Sequence, residues 1–400
     1  MFEIKKDIYF TGIKDPKIKS FHRHELSTHR GTSYNSYVLK DEKTVLFDTV
    51  WSPHADEFIE ALDRDFGLKN IDILVVNHCE PDHGGSLGAL MEKIPNVPIY
   101  CTKNGADMIR GYNHKDWDFH IVKTGDTLKT GKYELMFIEM QMIHWPDSMM
   151  TYIGGADTLI SNDAFGQHYA CGDAMFNDEA DTAELYEEAI KYYANILYPF
   201  SALIKRKLEQ LALLDLKIDM IAPSHGLIWR KDPMQIVGTY AKWCDNYAEN
   251  RAIVVFGTIW RSTEKMAKAV AEGMNAEGLD TCVIEAALTD KNDLVTEVFK
   301  AKAVAIGSST ISNNVVTSIS VLLHEIKALK YKGKPAASFG SYGWSGESGK
   351  QISDALKESG FVVAQEPLMV KYNPTREDLG KCVEFGRTFA KGILHGNEVK

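Results

Sequence analysis

Between residues 251 and 393, apolar runs of strand length alternate regularly with longer segments whose apolar positions recur at helical spacing. The apolar runs predict five strands: Ala252 to Phe256, Thr281 to Ala286, Ala303 to Gly307, Pro335 to Phe339 and a last one opening at Phe361 to Val363. The intervening segments predict five helices: Thr263 to Gly278, Asp293 to Lys302, Ser318 to Leu329, Gly346 to Gly360 and Arg376 to Ile393. Strands alternating with helices predict a doubly wound parallel sheet, in which ligands bind at the carboxyl ends of the strands.

The part before residue 251 has a different pattern. The polar stretch from Trp243 to Arg251 separates the two, so we expect one domain over residues 1–248 and a second over 249–400. In the first domain, an apolar run from Ile73 to Val76 predicts a buried strand. It leads directly into the ligand-rich run His78-Cys79-Glu80-Pro81-Asp82-His83-Gly84-Gly85.

Composition narrows the class of protein. Hydrophobic residues make up 44% and charged residues 25% of 400 positions, as in ordinary globular proteins, and the net charge of −10 includes no basic cluster for nucleic acid. We expect no signal peptide at Met1 to Asp7 and no membrane span. The six cysteines form no C-x-x-C pair, which argues against a disulfide framework and favours the cytoplasm; they are Cys79, Cys101, Cys171, Cys244, Cys282 and Cys382.

The histidines are concentrated in the first domain, where 11 of 13 precede residue 230. The run at 78–83 carries two imidazoles and two carboxylates, a mixture that suits iron or manganese at least as well as zinc. Two metals would need more ligands than this run holds. Three candidates follow apolar runs that could be strands: His144, Asp163 and His225.

This order of residues, with Asp163 19 positions after His144 and a last His before Gly226, resembles the metallo-β-lactamase fold, and more closely its flavodiiron protein branch. Zinc hydrolases of that superfamily typically have a second His where this chain has Glu80. The resemblance implies an αββα sandwich in which one iron takes His78, Glu80 and His144, the other takes Asp82, His83 and His225, and Asp163 bridges them. It also suggests that His22 or His24 lines the metal pocket. Tyr193 is a candidate for a position just behind the ligands, and the alternative is an aromatic helix face packed in the core.

Three loops at the ends of predicted strands in the second domain suit FMN. Hydroxyls and backbone N–H groups at a helix start form a phosphate cradle, and glycines next to aromatic residues admit a flat ring. A dinucleotide fingerprint and a P-loop lysine are both missing. The candidate contacts are Thr258, Ile259, Trp260, Arg261, Ser262 and Thr263, then Ser309, Thr310, Ile311, Ser312 and Asn313, then Ser341, Tyr342, Gly343, Trp344, Ser345 and Gly346.

The first of these loops resembles the flavodoxin phosphate loop, with Arg261 where that loop often has Gly. The middle loop has Ser309 and Ser312 where the family often has Pro and Asn. Simple helix capping by Ser262 or Thr263 is the alternative interpretation of the first loop.

The flavodiiron resemblance implies an enzyme that reduces dioxygen to water, nitric oxide to nitrous oxide, or both, at two non-haem irons supplied with electrons by FMN. It implies a head-to-tail homodimer, with a dimer of dimers as a further possibility, and an external donor such as rubredoxin or a reduced deazaflavin. Two alternatives remain open: a zinc hydrolase fused to a flavodoxin domain, which Glu80 disfavours, and an electron carrier with a vestigial metal site. The preferred gas and the donor stay undetermined.

Overall fold

The computed structural model describes residues 1–170 and 172–396, so Cys171 and the last four residues lie outside it. The chain divides into two compact units, Met1–Asp245 and Asn246–Lys400. This division falls three residues before the boundary that the sequence predicts.

The first unit contains a mixed sheet of seven strands in the order β1-β2-β7-β8-β9-β10-β11. Its first four strands are antiparallel neighbours, and β8 to β11 run parallel. Two short antiparallel pairs, β3 with β6 and β4 with β5, lie outside this sheet. The strands are β1 (Phe2–Lys5), β2 (Ile8–Phe10), β3 (Ile13–Asp15), β4 (Ser20–Phe21), β5 (Leu26–Ser27), β6 (Thr32–Tyr34), β7 (Tyr37–Leu39), β8 (Thr44–Phe47), β9 (Ile71–Val75), β10 (Ile99–Cys101) and β11 (Phe119–Ile121).

A second sheet of five strands completes the unit, ordered β12-β13-β14-β15-β16 and antiparallel except for its last pair. Its strands are β12 (Thr127–Lys129), β13 (Glu134–Glu139), β14 (Met149–Gly154), β15 (Thr158–Asn162) and β16 (Met220–Pro223). The helices of the unit are α1 (Ala55–Phe66), α2 (Pro81–Gly84), α3 (Leu87–Lys93), α4 (Lys103–Asn113), α5 (Thr182–Tyr192), α6 (Ser201–Leu213) and α7 (Met234–Trp243).

Because side chains alternate between the two faces of a strand, the first sheet contributes residues to two hydrophobic cores. On β8, Val45 and Phe47 join the core shared with the second sheet, whereas Leu46 points to the opposite face and joins the core shared with α1 and α3. The first unit is therefore a sandwich with helices outside two packed sheets, as the resemblance implies.

The second unit is a parallel sheet in the order β18-β17-β19-β21-β22, with β23 also paired to β21. Its strands are β17 (Ala252–Gly257), β18 (Thr281–Glu285), β19 (Ala303–Ile311), β20 (Asn314–Val315), β21 (Pro335–Tyr342), β22 (Val362–Val363) and β23 (Leu368–Lys371). Its helices are α8 (Ser262–Ala276), α9 (Lys291–Lys300), α10 (Thr317–Leu329), α11 (Glu347–Glu358) and α12 (Arg376–Leu394).

This is the doubly wound sheet that the sequence predicts, with two differences. The last strand is in two pieces, because the sequence between β22 and β23 leaves the sheet and returns beside the far end of β21. The end of β19 also turns back through Ser312 and Asn313, both left-handed at φ 48° and 62°, to form a short hairpin with β20. Among the described residues, no helix is long and apolar enough to cross a membrane.

Candidate metal centre and flavin cleft

The ligand-rich run lies where β9 leads into α2. Pro81 occupies the first turn of that helix, where its missing N–H costs nothing. Gly85 permits a close approach, since a Cβ there would lie 2.2 Å from the carbonyl oxygen of Pro81. The turn is therefore tight enough to aim His78, Glu80, Asp82 and His83 at the same region.

The three distant candidates also follow strands. His144 comes after β13, Asp163 directly after β15 and His225 after β16, so the ends of one sheet bring them to the loop at 78–83. The seven side chains form two groups whose ligand atoms lie within 4.8 Å of one another: His78, Glu80, His144 and Asp163; and Asp82, His83 and His225.

Asp163 lies between the groups, with one carboxylate oxygen for each. Its Oδ2 is 3.6 Å from Nε2 of His78 and 3.4 Å from Nε2 of His144. Its Oδ1 is 3.0 Å from Nε2 of His83 and 3.7 Å from Nε2 of His225. This is the placement that a bridging carboxylate needs.

The remaining carboxylates keep to their own groups. Glu80 Oε2 lies 3.2 Å from Nε2 of His78 and 3.5 Å from Nε2 of His144. Asp82 Oδ2 lies 3.1 Å from Nε2 of His83 and 3.0 Å from Nε2 of His225. All four imidazoles thus turn Nε2 inward, toward anionic oxygens.

The interior of the site suits metal ions. Both oxygens of Asp163, Oδ1 of Asp82 and both ring nitrogens of His83 are buried without a protein hydrogen bond of good geometry. Burial alone would lower the pKa of His83, but Asp82 and Asp163 hold it well above its ordinary value. Buried anionic oxygens that lack donors, mixed with imidazoles, are the ligands of iron or manganese. The residues present therefore fit a pair of such ions.

Two further buried carboxylates hold the ligand loop from behind. Asp147 accepts from His78 Nδ1 and from the backbone N–H of Cys79, and Asp48 accepts from the backbone N–H and the side-chain amide of Asn77. Burial raises the pKa of Asp48 to about 6. Burial would lower the pKa of His78, but hydrogen bonds to Asp147 and Glu80 raise it to about 10.

One expectation about the surroundings of the metals, the position of Tyr193, needs correction. Tyr193 does not lie behind the ligands: its hydroxyl bonds to Ser201 and Cys244, and its ring packs on Tyr240 and Trp243. The reason is helical phase. At the end of α5 the preceding residue, Tyr192, points inward, and a π-helical turn begins at Tyr193.

Tyr192 is the tyrosine that faces the ligands. Its ring centroid lies 5.2 Å from that of the buried His168 and 6.2 Å from that of His225. Sequence reasoning missed both Tyr192 and His168; the apolar helical spacing Leu185, Ala189 and Tyr192 was the available signal.

Of the two early histidines, only His22 reaches the site. Its Nε2 lies 3.2 Å from Oε1 of Glu80, whereas His24 is exposed at the tip of the β4–β5 hairpin. A cleft of about 480 Å³ opens here and ends on Glu80 and Asp82, with Phe21, Tyr34 and Trp51 among its aromatic walls.

In the second unit, the loop between β17 and α8 has the geometry of a phosphate cradle. Arg261 is left-handed, at φ 65°, which explains why Gly is frequent at that position in the resembling loops. Its guanidinium bonds to Glu264 at 2.7 and 3.1 Å. Ser262 and Thr263 occupy the first turn of α8, where unpaired backbone N–H groups favour an anion.

Thr263 connects the three predicted flavin loops. Its hydroxyl is buried and lies 2.9 Å from the hydroxyls of both Ser309 and Ser341. Both residues of the helix-cap alternative, Ser262 and Thr263, lie inside the first turn of α8, because Arg261 occupies the cap position. The hydroxyl of Thr263 bonds to Ser309 and Ser341 instead.

A cleft of about 580 Å³ lies between these loops. Ten predicted contacts line it: Ile259, Trp260, Ser262, Ser309, Thr310, Ile311, Ser341, Tyr342, Gly343 and Trp344. Seven others are not among its lining residues: Thr258, Arg261, Thr263, Ser312, Asn313, Ser345 and Gly346. Three further residues line the cleft and were not predicted: Lys265, Tyr372 and Asn373. The last two follow strand β23, which the sequence analysis did not predict.

The aromatic side chains at this cleft suit a flat ring. Trp260 is 88% and Trp344 82% exposed, although large aromatic side chains are normally buried. They flank a cleft with hydroxyls at its base, which matches a planar ring system carrying a phosphate. The residues present therefore fit FMN.

Comparison with known proteins agrees with both units. Residues 32–226 match the model of the ODP family beta lactamase, and residues 254–386 match the flavodoxin model. The chain is 44% identical over 392 residues to the anaerobic nitric oxide reductase flavorubredoxin of Vibrio vulnificus, which covers 97% of this chain and 79% of that protein. A protein of the same name from Escherichia coli O1:K1 is also 44% identical, over 97% of this chain and 81% of its own length.

Solved structures give the same result. Rubredoxin oxygen:oxidoreductase from Desulfovibrio gigas superposes with a TM-score of 0.94 at 33% identity, covering 98% of both chains. The flavodiiron protein from Giardia intestinalis superposes with a TM-score of 0.93 at 32% identity, covering 98% of this chain and 96% of that one.

Proposed function

This chain belongs to the flavodiiron protein family, and from that premise we propose that it reduces nitric oxide, dioxygen or both, using two non-haem irons and FMN. The products would be nitrous oxide and water respectively. FMN would relay electrons from an external donor. The arrangement that carries this proposal is the position of Asp163 between two groups of imidazole and carboxylate ligands.

We assign His78, Glu80 and His144 to one iron, Asp82, His83 and His225 to the other, and Asp163 to both. When bound, the two irons and the flavin supply the gas-binding and electron-storing chemistry that protein side chains lack. The chain's own part is positioning. Strand ends fix the ligands, and buried Asp48 and Asp147 hold the loop at 78–83, so the site needs little rearrangement to receive metal.

Other residues of this chain control what surrounds the gas. The aromatic walls of the cleft that ends on Glu80 and Asp82 place apolar surface beside these carboxylates. Tyr192 and His168 form a buried polar pair beside His225, and Thr32 fixes the ring of His168 through an Nδ1 contact of 2.7 Å. In the second unit, Ser262 and the N–H groups of α8 would hold the flavin phosphate.

The names of the relatives point to two different gases. The proteins at 44% identity are named as nitric oxide reductases, and the structural relative from Desulfovibrio gigas is named for oxygen. We therefore propose activity toward both gases. The same names support a rubredoxin-type donor; a reduced deazaflavin is the other candidate.

We further propose a head-to-tail homodimer, in which a second copy covers the exposed aromatic residues around the flavin cleft; a dimer of dimers remains a further candidate. A cytoplasmic location stays a prediction, supported by five free cysteines among the described residues. The zinc hydrolase and the electron carrier are set aside, because membership of the flavodiiron family makes the chain an oxidoreductase.

Reoxidation of the flavin tests this function. Protein with measured iron and FMN is reduced without air and then mixed with nitric oxide or with dioxygen, while the flavin absorbance is followed. We expect fast reoxidation by at least one gas in iron-loaded protein and much slower reoxidation in iron-free protein that retains FMN. Equal rates in the two preparations would contradict a role for the metal centre.

A further inference from the structure

The imidazoles of the metal centre differ in what holds their outer ring nitrogen. His78 directs Nδ1 at a carboxylate, with both oxygens of Asp147 at 3.0 and 3.1 Å. His225 directs Nδ1 at a neutral acceptor, the backbone carbonyl of Ser33, at 2.6 Å. His83 has no protein hydrogen bond of good geometry at Nδ1.

Asp147 is well placed to act on its neighbour. It is 1% exposed, and one of its oxygens also accepts from the backbone N–H of Cys79 at 2.8 Å. Its own carbonyl accepts from the hydroxyl of Thr102, the residue that caps α4, at 3.0 Å. Asp147 is thus fixed by the scaffold and holds two consecutive residues of the ligand loop, a ring at 78 and an amide at 79.

We propose that Asp147 is a positioning residue for one of the two metals only, the one assigned to His78, Glu80 and His144. It keeps the proton of His78 on Nδ1 and leaves Nε2 free to bind metal, and its charge makes this imidazole a stronger donor than His225. The proposal rests on the proposed function for the identity of the metals and goes beyond it in making the two positions electronically unequal.

The physical reason is the partner of the ligand. A histidine that binds metal through one nitrogen is oriented and made more basic by an acceptor at the other, and a carboxylate does this more strongly than a carbonyl. Loss of such a partner typically costs about 10–100-fold in metal affinity. Among the described residues, His78 is the proposed ligand whose side chain contacts Asp147, so that cost should fall on one position.

Two variants separate charge from shape. Asp147→Asn keeps the size of the side chain and removes the charge, whereas Asp147→Ala removes both. Asp41→Asn is the matched control: Asp41 also accepts from a backbone N–H, that of Tyr133 at 3.0 Å, but it lies in the turn between β7 and β8 and not behind the ligand loop. Iron and FMN per chain are measured by elemental and flavin analysis, and the two irons are distinguished by Mössbauer spectroscopy.

We expect Asp147→Asn to change the signal of one iron and to weaken its binding about 10–100-fold, while the other signal and the FMN content stay as in the parent protein. Asp147→Ala should do the same more strongly, and Asp41→Asn should leave both signals unchanged. If Asp147→Ala does not fold, Asp147→Asn decides the question alone.

Three results would overturn the proposal: unchanged signals in Asp147→Asn, equal changes in both signals, or the same one-sided change in Asp41→Asn. Each is read from bound metal without any turnover. A protein that binds two unequal irons but consumes neither gas would therefore sink the proposed function and leave this inference standing.

Discussion

Asp163 meets His83 through one carboxylate oxygen, at 3.0 Å from Nε2, and turns its other oxygen to the opposite set of ligands. One side chain thereby joins ligands delivered by a loop after the first sheet to ligands delivered by the second. The first prediction follows from this placement.

Replacing Asp163 with Ala removes the carboxylate that we propose the two groups share, so both metal positions should lose affinity. We expect iron to fall well below two per chain and gas reduction to be lost, while the flavin spectrum stays, because FMN binds in the other unit. Elemental analysis and the absorbance spectrum measure this. Asp118→Ala, an exposed Asp of the same unit, is the control; an Asp163→Ala protein that retained two irons would refute the bridging role.

The neighbouring tyrosines at the end of α5 form a natural matched pair. Tyr192→Phe alters the surroundings of His168 and His225, so we expect gas reduction to slow about tenfold or more at full iron content. Tyr193→Phe removes bonds to Ser201 and Cys244, and should cost about 0.5–1.5 kcal/mol of stability without slowing turnover. Steady-state rates and thermal melts distinguish them, and the reverse pattern would restore Tyr193 as the residue beside the metals.

Thr263 is predicted to organise the flavin cleft. Thr263→Val keeps the shape and removes a hydroxyl that bonds to both Ser309 and Ser341, which leaves these two serines with their direct contact of 3.3 Å. Combined with Ser262→Ala, it should weaken FMN about tenfold or more, since bonds to a charged group are worth roughly 1.5–3 kcal/mol. Fluorescence titration of the flavin-free protein measures this.

The iron content of the Thr263 variants serves as an internal control. Thr239→Val, which removes a hydroxyl from the first unit, should leave FMN binding unchanged. Loss of FMN and iron together in the Thr263 variants would mean that the two units do not bind their cofactors independently.

Lys334 gives a prediction about pH. Its amino group donates to the carbonyls of Val298, Phe299 and Ala301 at the end of α9, and burial lowers its pKa from an ordinary 10.5 to about 7. Between pH 7 and pH 10.5 the side chain of Lys334 is protonated in the unfolded chain and neutral in the folded one. Stability from this group is therefore greatest above pH 10.5 and is lost as the pH falls toward 7, at about 1.4 kcal/mol per pH unit.

Lys334→Met should abolish this share of the pH dependence. Urea unfolding, followed by release of FMN at several values between pH 7 and 9, compares the variant with the parent. Lys332→Met, at an exposed neighbouring lysine, should behave as the parent does. Parallel curves for the parent and Lys334→Met would show that the ammonium is not the source of the slope.

Much of this arrangement was readable from the sequence. Apolar runs predicted the parallel sheet because its central strands β17, β19 and β21 are buried on both faces, and the helices begin and end within a few residues of the prediction. The seven proposed ligands could be recognised because they follow apolar runs. Four lie on the loop after β9, and the other three follow β13, β15 and β16. These are local signals that tertiary packing preserves.

The missed residues depend on information that is not local. Tyr192 and Tyr193 are adjacent and chemically identical, and only the phase of α5 against the site decides which one faces His168. Asp147 stands two residues after Trp145 in the sequence. Its hydrogen bond to His78 could not be predicted, because the two residues are 69 positions apart. Tyr372 and Asn373 reach the flavin cleft because the chain leaves the sheet after β22 and returns as β23. The hydrophobic pattern of the sequence does not predict this return.

The measurement that tests the central claim most directly is steady-state consumption of nitric oxide and of dioxygen, side by side, by protein with measured iron and FMN. Reduced rubredoxin is supplied as the donor, and Asp163→Ala is run in parallel. We predict that the parent protein consumes at least one gas at a rate proportional to its iron content, and that the variant consumes neither. A fully loaded protein that consumed neither gas, or an iron-depleted variant that matched the parent, would contradict the account.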